Sequence, residues 1–380
     1  MRAHATAAVH EWLVEKMPTD VRQAIDRIRS ADDVAYLAVM PDVHRADDVC
    51  VGLALATRRL IYPSAVGGDI GCGMLAVAFD AGGEIFQEEA NARAVLQALG
   101  DMIPCHRQAV GSTPSKLPPS LLAESLSDPR LDHERNRDGR VQLGTLGRGN
   151  HFVELQVDAD ERLWLMLHSG SRGIGQRISA HHLRNATTME SGLPALDSQT
   201  AEGRAYLHDA GWAVKYASES RMAMARAATG ALQKLFNIEA DWSTLIHGDH
   251  NHVRHEEHFG EMMFVHRKGA LPASIGEAGV IPGSMGTYSF HVLGRGCENA
   301  LKSSSHGAGR AMRRGEARDR IRPRELRRQL KGVWFDDRLT TALCEEAPAA
   351  YKNVRQVMRA QRDLTKVIRE LRPLLVYKGK

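Results

Sequence analysis

The sequence predicts an α+β fold in which a central β-sheet core is flanked by helices. Between residues 34 and 80, short apolar runs are separated by Gly, Pro and Asp, which is typical of strands joined by tight loops. Between residues 203 and 236, apolar residues recur at helical spacing. The predicted strands and helices are mixed along the chain without regular βαβ alternation, which argues against a doubly wound parallel sheet.

The other elements fit a single domain over residues 1–380. Residues 1–33 are predicted to form a helical N-terminal segment broken at Pro18, and a further helix is predicted over residues 86–100. Residues 106–140 are polar and rich in proline, which predicts a long surface excursion.

Two later segments complete the pattern. The apolar run of residues 163–171 predicts a buried strand that leads into a glycine turn. The segment from residue 353 onward predicts a basic amphipathic helix, followed by Pro373 and a short strand-like tail. The Met and Ala stripe of the long helical block is interpreted as core packing.

Composition narrows the class of protein. The formal net charge of +4 is too small to indicate nucleic-acid binding by itself. The sequence contains no run of 18 apolar residues and no signal-peptide pattern, so we expect neither a membrane-spanning helix nor export. The five cysteines are scattered and odd in number, so we expect a cytoplasmic protein without a disulfide framework. The 18 histidines stand out, because neutral imidazole is a common ligand of transition metals.

The segment "GGDIGCGM" places Asp69 and Cys72 three residues apart among glycines. A carboxylate and a thiolate at this spacing can reach one cation, although a turn with a buried cysteine would have the same pattern. The upstream segment "MPDVH" adds Asp42 and His44, which could orient metal ligands.

Two more histidines lie at the edges of glycine loops. His151 follows the turn "LGRGN" and is flanked by Asn150 and Glu154, whereas His168 ends the apolar run before the loop that contains Arg172. A single histidine at a strand end is usually structural, but two in similar settings favour a site. Further along, residues 247–258 contain five closely spaced histidines, and spacing alone does not select the ligands among them.

The segments "IPGSMGTYSF" and "SSSHGAGRAMRR" combine hydroxyl groups, glycines and arginines around His306. Hydroxyls and backbone amides of this kind can form an anion cradle. Neither segment matches a P-loop or a Rossmann fingerprint, so a bound phosphate would contact hydroxyls, amides, Arg310 and Arg314.

These motifs occur in the order found in RtcB-type RNA ligases, which the chain resembles from about residue 34 to its C-terminus. The motifs that carry the resemblance are "MPDVH", "AVGGDIGCGM", "LGTLGRGNHFVEL", "LHSGSRGIG", "HNHV", "HRKGA", "IPGSMGT", "SSSHGAGRAMRR", "EEAPAAYKNVRQVM" and "VYKG". The resemblance implies the distinctive α+β fold of that family, centred on β-sheet.

The resemblance also implies roles for individual residues. Two Mn²⁺ ions would be held by Asp69, Cys72, His151, His168 and His250, with Cys72 able to bridge them. His306 would be the residue that is guanylylated by GTP. Residues near the guanylate would be Asn150, Glu154, Ser284, Gly307, Ala308, Gly309, Arg310, Tyr351 and Lys378. Arg172 and Arg314 would face phosphate or RNA.

The implied activity joins an RNA 3′-phosphate or 2′,3′-cyclic phosphate end to a 5′-hydroxyl end, in RNA repair or tRNA splicing. Mixed imidazole, carboxylate and thiolate ligands suit Mn²⁺ better than Mg²⁺, which prefers oxygen. Two alternatives stay open: a metal-dependent phosphoesterase without sealing activity, and a non-catalytic binder of RNA ends. We expect a monomer.

The chain departs from the family pattern at three places. Arg148 replaces a residue that is small in many relatives, and Arg313 replaces a serine. The segment "HRADDVCVG" lacks the glycine-rich run that commonly follows "MPDVH". The chain is also shorter than many relatives, so it resembles a divergent bacterial paralogue.

Overall fold

The computed structural model describes residues 7–109, 111 and 116–379. In chain order the strands are β1 (Ala8–Glu11), β2 (Val34–His44), β3 (Val51–Thr57), β4 (Leu60–Ile61), β5 (Gly73–Gly82), β6 (Phe152–Val157), β7 (Arg162–Ser169), β8 (Thr187–Thr188), β9 (Pro194–Asp197), β10 (Ala240–Asp249), β11 (Asn251–His258), β12 (Glu261–Lys268), β13 (Ala270–Pro272), β14 (Ala278–Ile281), β15 (Ser289–Gly294), β16 (Ser303–Ser305) and β17 (Thr365–Tyr377).

The α-helices are α1 (Thr19–Arg29), α2 (Glu89–Met102), α3 (Pro119–Leu122), α4 (Pro129–Glu134), α5 (Arg140–Gln142), α6 (Arg172–Arg184), α7 (Ala201–Phe236), α8 (Arg314–Arg320), α9 (Pro323–Gln329), α10 (Thr340–Leu343) and α11 (Val354–Ala360). In the part of the chain that the structure describes, no helix combines the length and the hydropathy needed to cross a membrane.

Two sheets dominate the structure. The larger one has the strand order β10-β5-β7-β6-β17-β15-β14 and is antiparallel throughout. Its two outer strands, β10 and β14, contact each other, so the sheet curls. The second sheet has the order β1-β2-β3-β12-β11, in which only the β1–β2 pair is parallel. The predicted α+β fold with a central sheet and flanking helices is therefore confirmed.

Helices α2 and α7 cover one face of the larger sheet. Met224 and Ala228 of α7 pack with Leu75 and Leu165 of the central strands, and all four side chains are buried. The Met and Ala stripe of α7 is thus core packing, as predicted, because apolar residues at helical spacing form one continuous face against the sheet. Helix α1 covers the second sheet in the same way.

The prediction of a helical segment over residues 1–33 is correct for α1 and wrong for β1. Residues 8–11 pair in parallel with β2, and the backbone N–H of Trp12 donates to the carbonyl of Val39 (3.0 Å). Pairing along an open sheet edge outweighs weak local helix preference in so short a segment. Pro18 stands immediately before α1, where its fixed φ is compatible with helix initiation.

The predicted C-terminal helix is wrong beyond residue 360. Helix α11 ends at Ala360, and β17 extends over Thr365–Tyr377 between β15 and β6. Pro373 lies within this strand, at an irregularity in its register with β6. Proline is tolerated at such a position because no ladder hydrogen bond is needed there.

The polar excursion of residues 106–140 is anchored to the surface of the domain. Leu121 and Leu131 are buried beside α7, and Trp212 of that helix donates its indole N–H to the carbonyl of Leu121 (3.0 Å). Buried leucines within this Pro-rich segment therefore hold α3 and α4 against the domain. Residues 110 and 112–115 of this prediction lie outside the described residues.

Candidate metal and nucleotide site

The site lies at one edge of the larger sheet, where four neighbouring strands begin or end. Cys72 immediately precedes β5, His151 precedes β6, His168 lies near the end of β7, and His250 follows β10. Because these strands are antiparallel neighbours, the start of β5 and of β6 lies beside the end of β7 and of β10. The register confirms this arrangement, since His168 pairs with Met74 on one side and with Phe152 on the other.

The side chains at this edge form two groups of potential metal ligands that share one sulfur atom. Asp69, Cys72 and His151 form the first group, and Cys72, His168 and His250 form the second. The Cys72 Sγ lies 3.2 Å from His168 Nε2 and 3.6 Å from His151 Nε2. His151 Nε2 lies 3.0 Å from Asp69 Oδ2, and His168 Nε2 lies 3.3 Å from His250 Nε2.

Backbone carbonyls orient two of the imidazoles. Nδ1–H of His151 donates to the carbonyl of Leu146 (2.9 Å), and Nδ1–H of His168 donates to that of Asn150 (3.2 Å). A carbonyl can only accept, so Nδ1 of each ring carries a proton and Nε2 faces the cluster. Histidines that bind metal ions in proteins are commonly oriented by such a hydrogen bond from the other ring nitrogen.

Burial controls the charge of the cluster. It holds the pKa of His168 and of His250 well below the ordinary range, so both rings are neutral and can act as ligands. Burial, together with the nearby Asp69 carboxylate, raises the pKa of the Cys72 thiol well above its usual value. Burial alone would raise the pKa of Asp69, but the hydrogen bond with His151 outweighs it and lowers that pKa to about 2.

This donor set fits a first-row transition metal. Neutral imidazoles, one carboxylate and one cysteine are present together in a buried cluster, and a metal ion would favour the thiolate that burial otherwise opposes. Asp69, Cys72, His151, His168 and His250 are therefore the residues that would hold it.

His306 lies directly beside this cluster. Its ring centroid is 4.7 Å from that of His250. It follows β16, and the pairing of β16 with β13 brings it back to the sheet edge where His250 lies.

A buried aspartate fixes the His306 ring. Nδ1 of His306 donates to Asp42 Oδ2 (2.7 Å), and the same oxygen accepts from the backbone N–H groups of His306 (3.1 Å) and Gly307 (3.3 Å). Nε2 is left with the free lone pair. The sequence suggested that Asp42 would orient metal ligands, whereas its carboxylate contacts His306.

Gly309 permits this close approach. It has a φ of 73°, and a Cβ at this position would lie 2.2 Å from the carbonyl oxygen of Asp42. Only glycine combines a positive φ with so close a contact. The glycines after His306 therefore serve the packing of this loop on β2 as well as the open space beside the ring.

A single cavity of about 790 Å³ adjoins His306 and the cluster. Nearly all the predicted residues line it: Asp69, Cys72, Asn150, Glu154, His168, His250, Ser284, His306, Gly307, Ala308, Gly309, Arg310, Arg314, Tyr351 and Lys378. Its volume is in the range that accommodates a small-molecule ligand or cofactor.

Two predicted residues lie behind the cavity wall. His151 reaches the cluster through Nε2 but is not part of the cavity lining. Arg172 is not in the lining either, and its Nη1 lies 3.3 Å from His151 Nδ1. Arg172 therefore contacts the side of His151 that faces away from the cluster, and its contact with phosphate or RNA stays a prediction.

The far wall of the cavity carries a hydrogen-bonded charge network around Glu346. This buried carboxylate accepts from Tyr351 Oη (2.6 Å), Arg310 Nη1 (3.2 Å) and Lys378 Nζ (3.3 Å). Burial would raise the pKa of Glu346, but Lys378, Tyr351 and Arg310 together lower it. The network holds the predicted nucleotide-binding side chains in fixed positions.

The serines before His306 do not form the predicted anion cradle. Ser303, Ser304 and Ser305 are buried in β16 and do not line the cavity. The Ser303 hydroxyl donates to the carbonyl of Leu301 (2.8 Å) and accepts from Arg267 (2.8 Å). Pairing with β13 turns this segment into the protein, whereas Ser284 and Ser289 of the segment "IPGSMGTYSF" line the cavity.

Of the histidines in residues 246–270, only His250 belongs to the metal-ligand groups of the described residues. His247 accepts from Arg221, His258 pairs with Glu298, and His255 stacks on Phe264. Strand alternation separates these side chains, which the sequence spacing alone could not show.

Three residues of the site were missed by the sequence interpretation. Phe152 lines the cavity, with its ring 5.6 Å from that of His168. Asn251 donates to the carbonyl of Asp69 (3.1 Å) and accepts from the N–H of Gly269 (2.7 Å). Glu346 was the third. All three lie within the sequence motifs that carry the family resemblance. Their roles could not be predicted from those motifs, because the roles depend on tertiary contacts.

The buried cluster of metal-type ligands, the histidine oriented by an aspartate and the adjoining cavity together form one candidate active site. The family model described as "tRNA-splicing ligase RtcB" matches residues 25–126 and 122–379. The chain belongs to the RtcB family.

Individual relatives agree with this assignment. The chain is 36% identical over 373 residues to "RNA-splicing ligase RtcB" of Escherichia coli K12, which covers 90% of each chain. It is 31% identical to "RNA-splicing ligase RtcB2" of E. coli ATCC 25922, over 90% of this chain and 87% of the relative. It is 32% identical to "tRNA-splicing ligase RtcB" of Archaeoglobus fulgidus, over 66% of this chain and 62% of the relative.

Replacing Cys72 by serine should lower the transition-metal content of the purified protein by about half or more, because one sulfur belongs to both groups of potential ligands. Metal content can be measured by inductively coupled plasma mass spectrometry after dialysis. The matched control is Cys344→Ser, another buried cysteine that lies outside the site. Equal metal content in the two variants would contradict the assignment of Cys72.

Glu154 should make folding stability depend on pH. Burial raises its pKa to about 8, so the folded state retains a proton that the unfolded chain loses near its ordinary pKa of about 4.5. Stability should therefore fall as pH rises through this window, by about 1.4 kcal/mol per pH unit.

Glu154→Gln removes this dependence, so the variant should gain stability relative to the unmodified chain at pH 8 and gain little at pH 5. Urea unfolding at both pH values measures the difference. Glu161→Gln, which removes a side chain that is 68% exposed, is the control. An identical effect of Glu154→Gln at both pH values would show that the carboxyl is not buried in the neutral form.

Proposed function

We propose that this chain is a GTP-dependent RNA ligase that joins a 3′-phosphate end to a 5′-hydroxyl end through a guanylylated His306. Its family membership and the names of its relatives support an RNA ligase. The observation that carries the finer proposal is the pair formed by His306 and Asp42, which leaves Nε2 of a histidine beside a metal-type cluster as a nucleophile.

In the first step, Nε2 of His306 attacks the α-phosphorus of GTP. A nitrogen–phosphorus bond forms, the bond from the α-phosphorus to the bridging oxygen breaks, and pyrophosphate leaves. The imidazole then carries positive charge, which the buried Asp42 carboxylate stabilises through Nδ1–H. Asp42 therefore both orients the ring and balances the charge that develops on it.

The remaining steps use the same site. The guanylyl group passes from His306 to an RNA 3′-phosphate, which becomes an activated end, and a 5′-hydroxyl then displaces GMP to seal the strand. A 2′,3′-cyclic phosphate end would first be hydrolysed to the 3′-phosphate. Asp69, Cys72, His151, His168 and His250 would hold two Mn²⁺ ions. These ions would neutralise negative charge on the phosphate oxygens.

Guanine selectivity is assigned to the buried end of the cavity. Glu154 can accept from the N1–H and N2–H groups of guanine, and Lys378 can donate to O6. Both side chains are buried and line the cavity, and Phe152 lies between them and the cluster as an aromatic surface. Binding of guanine would favour the charged form of Glu154, which burial otherwise disfavours.

A phosphoesterase without sealing activity is the second candidate. It would need the metal ligands, but hydrolysis does not require a histidine held with a free lone pair beside them. The buried Asp42 and the Gly309 turn that fix His306 therefore favour the ligase. RNA repair or tRNA splicing, a cytoplasmic location and a monomeric state belong to the same proposal.

Incubation with Mn²⁺ and α-labelled GTP should yield a covalent GMP adduct, and His306→Ala should abolish it, because no other cavity-lining imidazole is held in this way by a carboxylate among the described residues. A phosphoramidate is labile to acid and stable to alkali, which identifies the bond. His255→Ala, on the strand surface, should keep the adduct. Persistence of the adduct in His306→Ala would overturn the proposed nucleophile.

A further inference from the structure

Residues 313–331 form an arginine-rich surface segment whose charge differs from that of the rest of the chain. The segment contains nine basic and three acidic residues, an excess of six positive charges, whereas the whole chain has an excess of four. The rest of the chain therefore carries a slight excess of negative charge. The net positive charge of this protein therefore comes from one short stretch.

The fold turns these cations toward solvent. Helices α8 and α9 bury Ala317, Ile321, Leu326 and Leu330 in one apolar cluster. The side chains of the arginines on the opposite side are largely exposed; the exposed fractions are 61% for Arg318, 67% for Arg320 and 80% for Arg328. Each helix is thus anchored by its apolar residues and presents its basic residues outward.

The arginine-rich surface begins at the mouth of the cavity. Arg313 and Arg314 line the cavity, and the Arg314 guanidinium lies over Gly149, where a Cβ would be 2.9 Å from Nη2. The exposed Arg148 is the next residue to Gly149. The arginine-rich surface is therefore continuous with cations that line the cavity.

Carboxylates within the protein balance only part of this charge. Arg320 pairs with Glu316 (2.9 Å), and Arg318 pairs with Glu345 (3.5 Å). Arg322, Arg324 and Lys331 have no carboxylate partner within 4 Å among the described residues. Exposed pairs contribute little to stability, so a role in holding the fold does not account for the whole segment.

The composition of the segment selects the kind of partner. Eight of its nine basic residues are arginine. The planar guanidinium of arginine can donate two parallel hydrogen bonds to the oxygens of one phosphate. The segment contains no aromatic residue on which a base could stack. Contacts of this kind hold a nucleic acid backbone and do not read its sequence.

We propose that the arginine-rich surface binds backbone phosphates of the RNA strand whose 3′-phosphate end enters the cavity, irrespective of its sequence. This inference rests on the proposed function, because it takes the substrate to be RNA. The surface would hold the strand several nucleotides away from the reacting end, so it contributes to RNA affinity and not to the chemistry on His306.

The test compares two triple variants that remove equal charge. The first, Arg320→Gln with Arg324→Gln and Arg328→Gln, replaces three arginines of the surface, none of which lines the cavity. The second, Arg58→Gln with Arg93→Gln and Arg130→Gln, removes three arginines with exposed fractions of 53%, 76% and 79% elsewhere. Binding of labelled 3′-phosphorylated RNA oligonucleotides of two unrelated sequences is measured by fluorescence anisotropy at several salt concentrations.

The surface variant should bind both sequences at least about tenfold more weakly at low salt, and the slope of log affinity against log salt should become shallower by about 2. The control variant should match the unmodified chain. In ligation assays the surface variant should require more RNA for half-maximal rate, with an unchanged rate at saturation. Equal affinity and equal salt slope in the two variants would overturn the proposal.

Formation of the His306 adduct distinguishes failure of the RNA-binding proposal from failure of the proposed ligase function. Formation of the His306 adduct needs no RNA, so both triple variants should form it at the rate of the unmodified chain. Absence of the adduct in the unmodified chain would remove the proposed ligase chemistry, while the RNA titration would still decide whether the surface binds RNA.

Discussion

The sharing of one sulfur atom by two groups of ligands is the constraint on which the rest of the site depends. Cys72 can serve both groups only because β10, β5, β7 and β6 are antiparallel neighbours whose ends meet at one sheet edge. A shift of register by one residue would move a ligand to the opposite face of the sheet. The apolar contacts of α2 and α7 fix that register, so the core and the site are stabilised together.

The electrostatics of the site follow from this burial. Neutral imidazoles, a thiol that resists ionisation and one charged carboxylate limit the charge that the protein buries on its own. Bound cations, and then the phosphates of a nucleotide, would complete the charge balance. Opposite the cluster, Glu346 already pairs with Lys378 and Arg310, so that end of the cavity is ordered without depending on a ligand.

The sequence allowed the type of fold to be predicted, and nearly all the site residues that it selected line one cavity, because they lie in short local motifs. It did not allow segments to be placed where tertiary pairing overrides local preference, such as β1 and the long β17. It also suggested that Ser303–Ser305 face a phosphate, whereas their pairing with β13 turns them inward. The roles of Asp42 and Glu346 depend on contacts between residues far apart in the chain, and spacing carries no information about such contacts.

The central claim is tested most directly by anomalous diffraction at the manganese absorption edge from crystals grown with Mn²⁺. The account predicts two anomalous peaks, one on each side of the Cys72 sulfur, the first near Asp69 and His151 and the second near His168 and His250. A manganese position distant from Cys72, with no peak between these side chains, would contradict it.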